Sequence, residues 1–328
     1  MSDTVRTFTV APDDDGIRLD RWFKRHLPDA SFNLVSRWAR TGQLRVDGKR
    51  ATPGDRIEAG QSIRVPPAET PVAQELFTRA PRPKKVRPEL SDDETAFAEG
   101  MVIYKDDAAL VLNKPPGLAT QGGTKTDDHV DRLLDALWFE IEGRPKLVHR
   151  LDKDTSGALL IARKASSAAH FATAFSSRTA RKVYWALVVG VPDIFDGMIE
   201  LPISKQPGSG GEKMHVDMKE GSPARTRYRV IDRAGNSAAW VELQPFTGRT
   251  HQLRVHCAEM GWPILGDNIY GSAPRSGGPA LHLHSREIVV PISKNKPAVV
   301  TTAPAPSHMQ EMLKACGWTG ETTPLSPA

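Results

Sequence analysis

Asp152 stands between two cations, Arg150 and Lys153, in the run His149-Arg150-Leu151-Asp152-Lys153-Asp154-Thr155-Ser156-Gly157. Clustered charges followed by a Thr-Ser-Gly turn make a poor packing segment and a good pocket rim. A carboxylate flanked by cations is held ionised. Asp152 can therefore attack an electrophile without a separate base, as carboxylate nucleophiles do in glycosyl chemistry. Three further segments carry reactive or charged side chains. Leu112-Asn113-Lys114-Pro115-Pro116-Gly117-Leu118 reads as a strand end running into a rigid turn, and Arg181-Lys182-Val183-Tyr184-Trp185 as a strand with an aromatic among basic residues. Thr247-Gly248-Arg249-Thr250-His251-Gln252-Leu253-Arg254-Val255-His256 is followed by Gly261-Trp262-Pro263-Ile264-Leu265-Gly266-Asp267.

Each of these residues has an ordinary reading beside the chemical one. Arg254 could be a surface charge, and Tyr184 a core aromatic in an apolar strand. His149, His251 and His256 lack the carboxylate or cysteine spacing of a metal site, so bonds to backbone or phosphate are expected and no metal. Gly208-Ser209-Gly210-Gly211-Glu212-Lys213 lacks the ending of a nucleotide-binding P-loop and reads as a flexible hairpin loop. Asp154-Thr155-Ser156-Gly157 matches the short signature of aspartic proteases, but no second copy occurs. Asp152 and Asp154 could also form a glycosidase pair.

Strands are expected at Ala109–Asn113, Ala158–Ala162, Val183–Val189, Arg225–Ile231, Ala238–Leu243 and Glu287–Val290, and helices at Val130–Trp138 and Ser166–Ser176. No regular βα repeat appears, which predicts an α+β domain with a mixed, largely antiparallel sheet. Ahead of it, Arg18–Leu27 and Asn33–Arg40 read as amphipathic helices, followed by strands near Leu44–Val46 and Ile63–Val65 with Asp47-Gly48 as a tight turn. The domains are expected at 14–66, a Pro-rich charged linker at 67–97, the large domain at 98–316 and a disordered tail at 317–328.

Charge is distributed unevenly. Gly16–Pro66 holds eleven Lys or Arg against five Asp or Glu, while the whole chain of 328 residues carries only +5. The basic excess thus lies in the small module, the footprint of a polyanion-binding surface, with Arg18, Arg21, Arg37, Arg40 and Lys49 as candidate contacts. Lys84, Lys85 and Arg87 of the linker are candidates for supplementary contacts. The N-terminal stretch lacks a signal-peptide core, and no apolar run is long enough to span a membrane. Two cysteines, Cys257 and Cys316, are too few for a disulfide framework, so a reducing cytoplasm is expected.

Taken in order, the four segments resemble the RluA family of pseudouridine synthases, over Ile103 to about Leu313. The sequence His149-Arg150-Leu151-Asp152 with Thr155-Ser156-Gly157, and Gly248-Arg249-Thr250-His251-Gln252-Leu253-Arg254, carry that resemblance most specifically. The module before it resembles the S4 RNA-binding domain through Arg18-Leu19-Asp20-Arg21-Trp22, Ser36-Arg37 and Gly42-Gln43-Leu44-Arg45-Val46-Asp47-Gly48-Lys49. The resemblance implies isomerisation of uridine to pseudouridine in structured RNA, without a cofactor. It implies Asp152 as the catalytic aspartate, Tyr184 as the tyrosine that packs on the target uracil and helps remove the C5 proton, and Arg254 as the partner of the catalytic carboxylate. His149, Arg150, Lys182, Arg249, His251 and Gln252 are candidate RNA contacts. Attack at ribose C1′, addition at uracil C6 and a glycal route are all compatible with one ionised aspartate. The implied substrate is large-subunit (23S) ribosomal RNA or its assembly intermediates, bound by a monomer. Lys114-Pro115-Pro116-Gly117 followed by Gln121-Gly122-Gly123 leans toward the type C members, although Gln121 stands where those often carry His. Alternatives are a tRNA-directed synthase, one acting at other 23S sites, or an inert RNA-binding protein.

Overall fold

The computed structural model describes residues 6–66, 89–123, 128–141, 143–206, 213–292 and 297–320. The chain divides into two compact units, Met1–Pro88 and Glu89–Ala328. The expected contacts at Lys84, Lys85 and Arg87 lie outside the described residues, as do residues 207–212 of the glycine-rich loop.

In the first unit β1 (Arg6–Thr9) precedes α1 (Leu19–His26) and α2 (Phe32–Arg40), then β2 (Arg45–Val46), β3 (Lys49–Arg50) and β4 (Ser62–Val65). The strands form one antiparallel sheet in the order β1-β4-β2-β3. Helical spacing turns Leu19, Trp22 and Phe23 of α1 and Leu34, Val35 and Trp38 of α2 into a common core with Leu44, Ile63 and Val65. Each such aliphatic or aromatic side chain contributes roughly 1.5–3 kcal/mol. Asp47 and Gly48 both have positive φ, the geometry of a two-residue hairpin that matches strand twist. Arg21, Arg37, Arg40 and Lys49 are left exposed.

The second unit opens with α3 (Asp92–Gly100), β5 (Val102–Lys105), β6 (Ala109–Lys114), α4 (Val130–Leu133), β7 (Lys146–Leu147), β8 (Ser156–Ala162) and α5 (Ala165–Ser176). It continues through β9 (Arg181–Val189), β10 (Asp196–Glu200), β11 (Ile203–Lys205), β12 (Met214–Val216), β13 (Arg225–Ala234) and β14 (Ala238–Pro245). It ends with α6 (Gln252–Glu259), β15 (Leu283–Val290), β16 (Val299–Thr302) and α7 (Ser307–Ala315). The main sheet runs β10-β13-β14-β9-β15-β8-β6-β5, with β16 added to β15 and β7 to β8. Its pairs are antiparallel except β8 with β15. It is the mixed, largely antiparallel α+β sheet the sequence predicts.

Strand periodicity divides the core. Leu159 and Ile161 of β8 join Leu110 and Leu112 in a cluster completed by Leu253 and Cys257 of α6. Their neighbours Ala158, Leu160 and Ala162 pack with Val111 and with Phe171 of α5. A strand covered on both faces reads as an unbroken apolar run. In β9 the same alternation sends Trp185 and Leu187 toward Met309 and Leu313 of α7, and Tyr184 toward the α6 side. Tyr184 is thereby delivered to one particular face of the sheet.

Two boundaries differ from expectation. The acidic stretch assigned to the linker is the start of α3. Ser91 accepts from the Glu94 amide while Glu94 bonds the Ser91 amide, a reciprocal cap that starts a helix. At the other end Trp318 packs against the α7 cluster, so the tail is ordered at least that far; residues 321–328 lie outside the described residues.

Gly157 links the reactive loop to the sheet. Its φ is +104°, and a Cβ there would lie 2.3 Å from the Ser285 carbonyl oxygen on β15. Positive φ alone costs an L-residue about 1–3 kcal/mol. Gly157→Ala is expected to lower stability by about 3 kcal/mol or more, read by urea denaturation; an unchanged midpoint would contradict this backbone contact.

Candidate active site

Asp152 lies on the loop between β7 and β8, and that loop is clamped from beneath. The Lys114 ammonium, fully buried, donates to the carbonyls of Pro115 (2.9 Å), Leu118 (2.8 Å) and Lys153 (2.9 Å). The Thr120 hydroxyl donates to the Leu151 carbonyl (2.7 Å) and accepts from the Leu151 amide (3.1 Å). The main chain of both neighbours of Asp152, Leu151 and Lys153, is therefore fixed. Burial pushes the Lys114 pKa down to about 7, opposed by the charges of Asp154 and Asp152. Asp152 itself is half-buried, and its carboxylate accepts no hydrogen bond from the described residues.

Asp152, Tyr184 and Arg254 line one small cavity of about 110 Å³, with Leu253, Leu283 and Thr155. Burial raises the Tyr184 pKa, Asp152 raises it further, and a hydrogen bond with Ser285 acts the other way. The phenol stays neutral beside the carboxylate. Arg254, on the first turn of α6, is 2% exposed. Its hydrogen-bonded partner is Asp267, which corrects the expected pairing with Asp152. Nε donates to one Asp267 oxygen (2.8 Å) and Nη2 to the other (2.7 Å). A buried guanidinium needs a counter-ion at all times, and half-open Asp152 does not supply it. The Arg254 charge still acts on Asp152. Asp267 also accepts from the Ile269 and Tyr270 amides (2.9 and 3.0 Å). Burial alone would raise the Asp267 pKa, but Arg254 and these amides bring it below the ordinary carboxylate value. The Tyr270 ring sits 5.4 Å from the Arg254 guanidinium carbon.

Gln252 and His149, expected as RNA contacts, line the two cavities and also make hydrogen bonds inside the fold. Gln252 is buried and uses all four of its hydrogen-bonding positions inside the fold. Its oxygen accepts from Thr247 Oγ1 (2.7 Å) and the Arg249 amide (3.1 Å), and its nitrogen donates to the Arg225 carbonyl (3.0 Å) and Thr226 Oγ1 (2.9 Å). It shapes the Thr247-Gly248-Arg249 turn. His149 stacks on Phe175 at 4.5 Å, and its Nε2 accepts from the Leu160 amide (2.8 Å). His251, in the left-handed region at φ +53°, meets the Tyr270 hydroxyl at 2.9 Å. His256 bonds the Leu201 carbonyl at 3.0 Å. Arg150 and Arg249 are exposed at the cavity, and Lys182 is half-buried there. In the first unit Arg18 pairs with Asp20 at 2.9 Å. Sequence reasoning missed Lys114, Thr120, Asp267 and Tyr270 as site-forming residues. Lys114 and Asp267 fall within two of the four chemically suggestive segments, but no local spacing names their partners. Among the described residues no cluster of three His, Cys, Asp or Glu could hold a metal ion.

Two outcomes follow from these geometries. Asp267→Asn leaves a buried guanidinium uncompensated and is expected to cost about 3–5 kcal/mol of stability, measured by urea denaturation; a loss below about 1 kcal/mol would contradict the pairing. Burial pushes His149 and His284 from 6.5 down to about 3. Both are neutral when folded and take up protons when unfolded, so the unfolded state binds more protons between those values. Their contribution is complete above pH 6.5 and is lost as pH falls toward 3. The urea midpoint should drop across that window, and His284→Asn should make the drop shallower; an equal slope in the variant would refute the assignment.

Comparisons with known proteins identify the family. The family described as RNA pseudouridylate synthase matches residues 108–259, a span holding Asp152, Tyr184 and Arg254. Ribosomal large subunit pseudouridine synthase C of Vibrio cholerae is 34% identical over 94% of this chain and 96% of its own. RNA pseudouridine synthase 4, mitochondrial, of Arabidopsis thaliana is 33% identical over 88% of this chain and 77% of its own. Among solved structures, human RNA pseudouridylate synthase domain containing 4 superposes with a TM-score of 0.57 at 27% identity, covering 69% of this chain and 97% of that one. With a free carboxylate, a neutral tyrosine and a compensated arginine converging in the matched span, the chain belongs to the RluA-like family of RNA pseudouridine synthases, enzymes that isomerise uridine in RNA.

Proposed function

We propose that this protein forms pseudouridine in large-subunit ribosomal RNA, 23S or its assembly intermediates, with Asp152 as the nucleophile. The observation that carries the reading is the Asp152 carboxylate, left without a hydrogen-bond donor among the described residues in a pocket it shares with Tyr184 and Arg254. The substrate assignment draws on full-length similarity to relatives named as large-subunit synthases. A stacked base is inaccessible, so the target uridine must be extruded at a cost of a few kcal/mol. Tyr184 offers a face on which it packs. The N1–C1′ bond breaks, the uracil turns, the C5–C1′ bond forms, and the C5 hydrogen is replaced by one on N1. Nothing is gained or lost overall, so the reaction requires no cofactor.

Residues 14–66 serve in this reading as an S4-like RNA module, supported by their basic excess and by exposed Arg21, Arg37, Arg40 and Lys49. A monomer is the form proposed to act. Cytoplasmic action is the setting proposed, and both cysteines are buried and free. No helix of the described residues is long and apolar enough to cross a membrane.

On an unmodified large-subunit RNA transcript, Asp152→Asn is expected to abolish pseudouridine formation while Asp154→Asn retains most of it. Equal losses would favour a two-carboxylate mechanism. Wild-type protein that binds the transcript and modifies no uridine would overturn the reading in favour of an inert RNA-binding protein. Deleting residues 1–66 should flatten the salt dependence of binding, by a slope of about 0.7 for each single-strand phosphate that the module neutralises; an unchanged slope would show that the module does not touch RNA.

A further inference from the structure

A second cavity of about 800 Å³ adjoins the catalytic pocket, and Arg150, Lys182, Pro245, Thr247, Gly248 and Arg249 line both. We propose that this larger cavity holds an unpaired nucleotide next to the target uridine in the same RNA strand, its base stacked on Phe246 and its phosphate on the wall formed by Lys182 and Arg249. The proposal rests on the RNA reading above and adds a specific subsite to it.

Three observations support it. Phe246 is 44% exposed at the end of β14, one residue before the Thr247-Gly248-Arg249 turn. Its amide donates to the Arg225 carbonyl (3.0 Å), and the Arg225 guanidinium carbon lies 5.7 Å from the ring centroid. The Phe246 backbone is thus anchored, and its exposed ring has beside it a guanidinium that pairs with Glu200 (2.7 Å), an arrangement that takes up an unstacked base without regard to its identity.

The cavity wall is also strongly cationic. Seven Lys or Arg side chains line it against two acids, Asp196 and Glu242; Arg227 and Arg229 face these acids at 3.1 and 3.4 Å, and Arg181 pairs with Glu287, which leaves Arg150, Arg178, Lys182 and Arg249 in excess. A polyanion fits this imbalance.

Lys182 gives the third argument. It is half-buried at the junction of the two cavities and has no carboxylate partner among the described residues, its ammonium resting 5.9 Å from the Phe175 ring. Burial lowers its pKa. A phosphate linking the extruded uridine to its neighbour would supply the missing counter-charge where the two cavities meet. An acidic peptide would satisfy the cations but would leave the Phe246 face unused.

The test uses single-stranded RNA pentamers with uridine at the centre and 2-aminopurine immediately 5′ or 3′ of it. Wild-type protein should change the 2-aminopurine fluorescence at one of these positions. Phe246→Ala should weaken binding at least about fivefold and remove that signal, as expected when a base loses its stacking partner. Phe246→Tyr should restore both. Phe195→Ala, at an exposed aromatic outside the cavity, should match wild type. On the large-subunit transcript the Phe246→Ala loss should appear mainly in KM. Wild-type affinity and signal in Phe246→Ala would overturn the subsite, as would no signal at either position with wild type. Failure of wild type to modify the transcript would instead count against the proposed function, and the pentamer readout would still decide the subsite.

Discussion

The ion pair between Arg254 and Asp267 governs how this site is built. A guanidinium that is 2% exposed cannot be left unbalanced, because an unpaired buried charge is strongly destabilising. Asp267, on the segment after α6, meets it through two parallel hydrogen bonds and is itself held by two backbone amides. Asp152 is thereby released from serving as counter-ion. It stays in the field of Arg254 yet accepts no hydrogen bond from the described residues, and a carboxylate not already committed to a donor keeps its lone pairs for a substrate.

Such a half-buried carboxylate must also be aimed. Lys114 and Thr120 tie down the main-chain carbonyls of the residues on either side of Asp152, Lys153 and Leu151, and Gly157 brings the end of the loop against β15 closer than any Cβ would permit. Across the pocket Gln252 performs the matching task for the Thr247-Gly248-Arg249 turn with four hydrogen bonds. Polar side chains buried for this purpose have every partner satisfied, which makes the loops rigid. The reactive groups stand on backbone set by side chains whose own hydrogen bonds are made inside the fold.

Much of this is legible in the sequence, for identifiable reasons. Strands buried on both faces, such as Ser156–Ala162, announce themselves as apolar runs, and the charged segment ahead of that strand reads as a rim. Tyr184 and Arg254 are singled out with Asp152 only by the family resemblance, and the fold brings all three to one cavity. The partner of Arg254 is not legible, because spacing shows that a charge needs a counter-ion without showing which carboxylate the fold delivers. Gln252 and His149 look like polar surface because their acceptors and donors, on β13 and β8, are remote in sequence. The α3 cap is a different case. Ser91 and Glu94 carry the local signal of a helix start, and the surrounding acidic residues conceal it.

Arg254 and Asp267 act as one unit that leaves Asp152 free. A double-mutant cycle on single-turnover pseudouridine formation tests it most directly, using Arg254→Lys, Asp267→Asn and both together, on protein verified as folded. If the two residues form one unit, the double variant will be no slower than the slower single variant. Losses that multiply as though the two side chains were independent would contradict it.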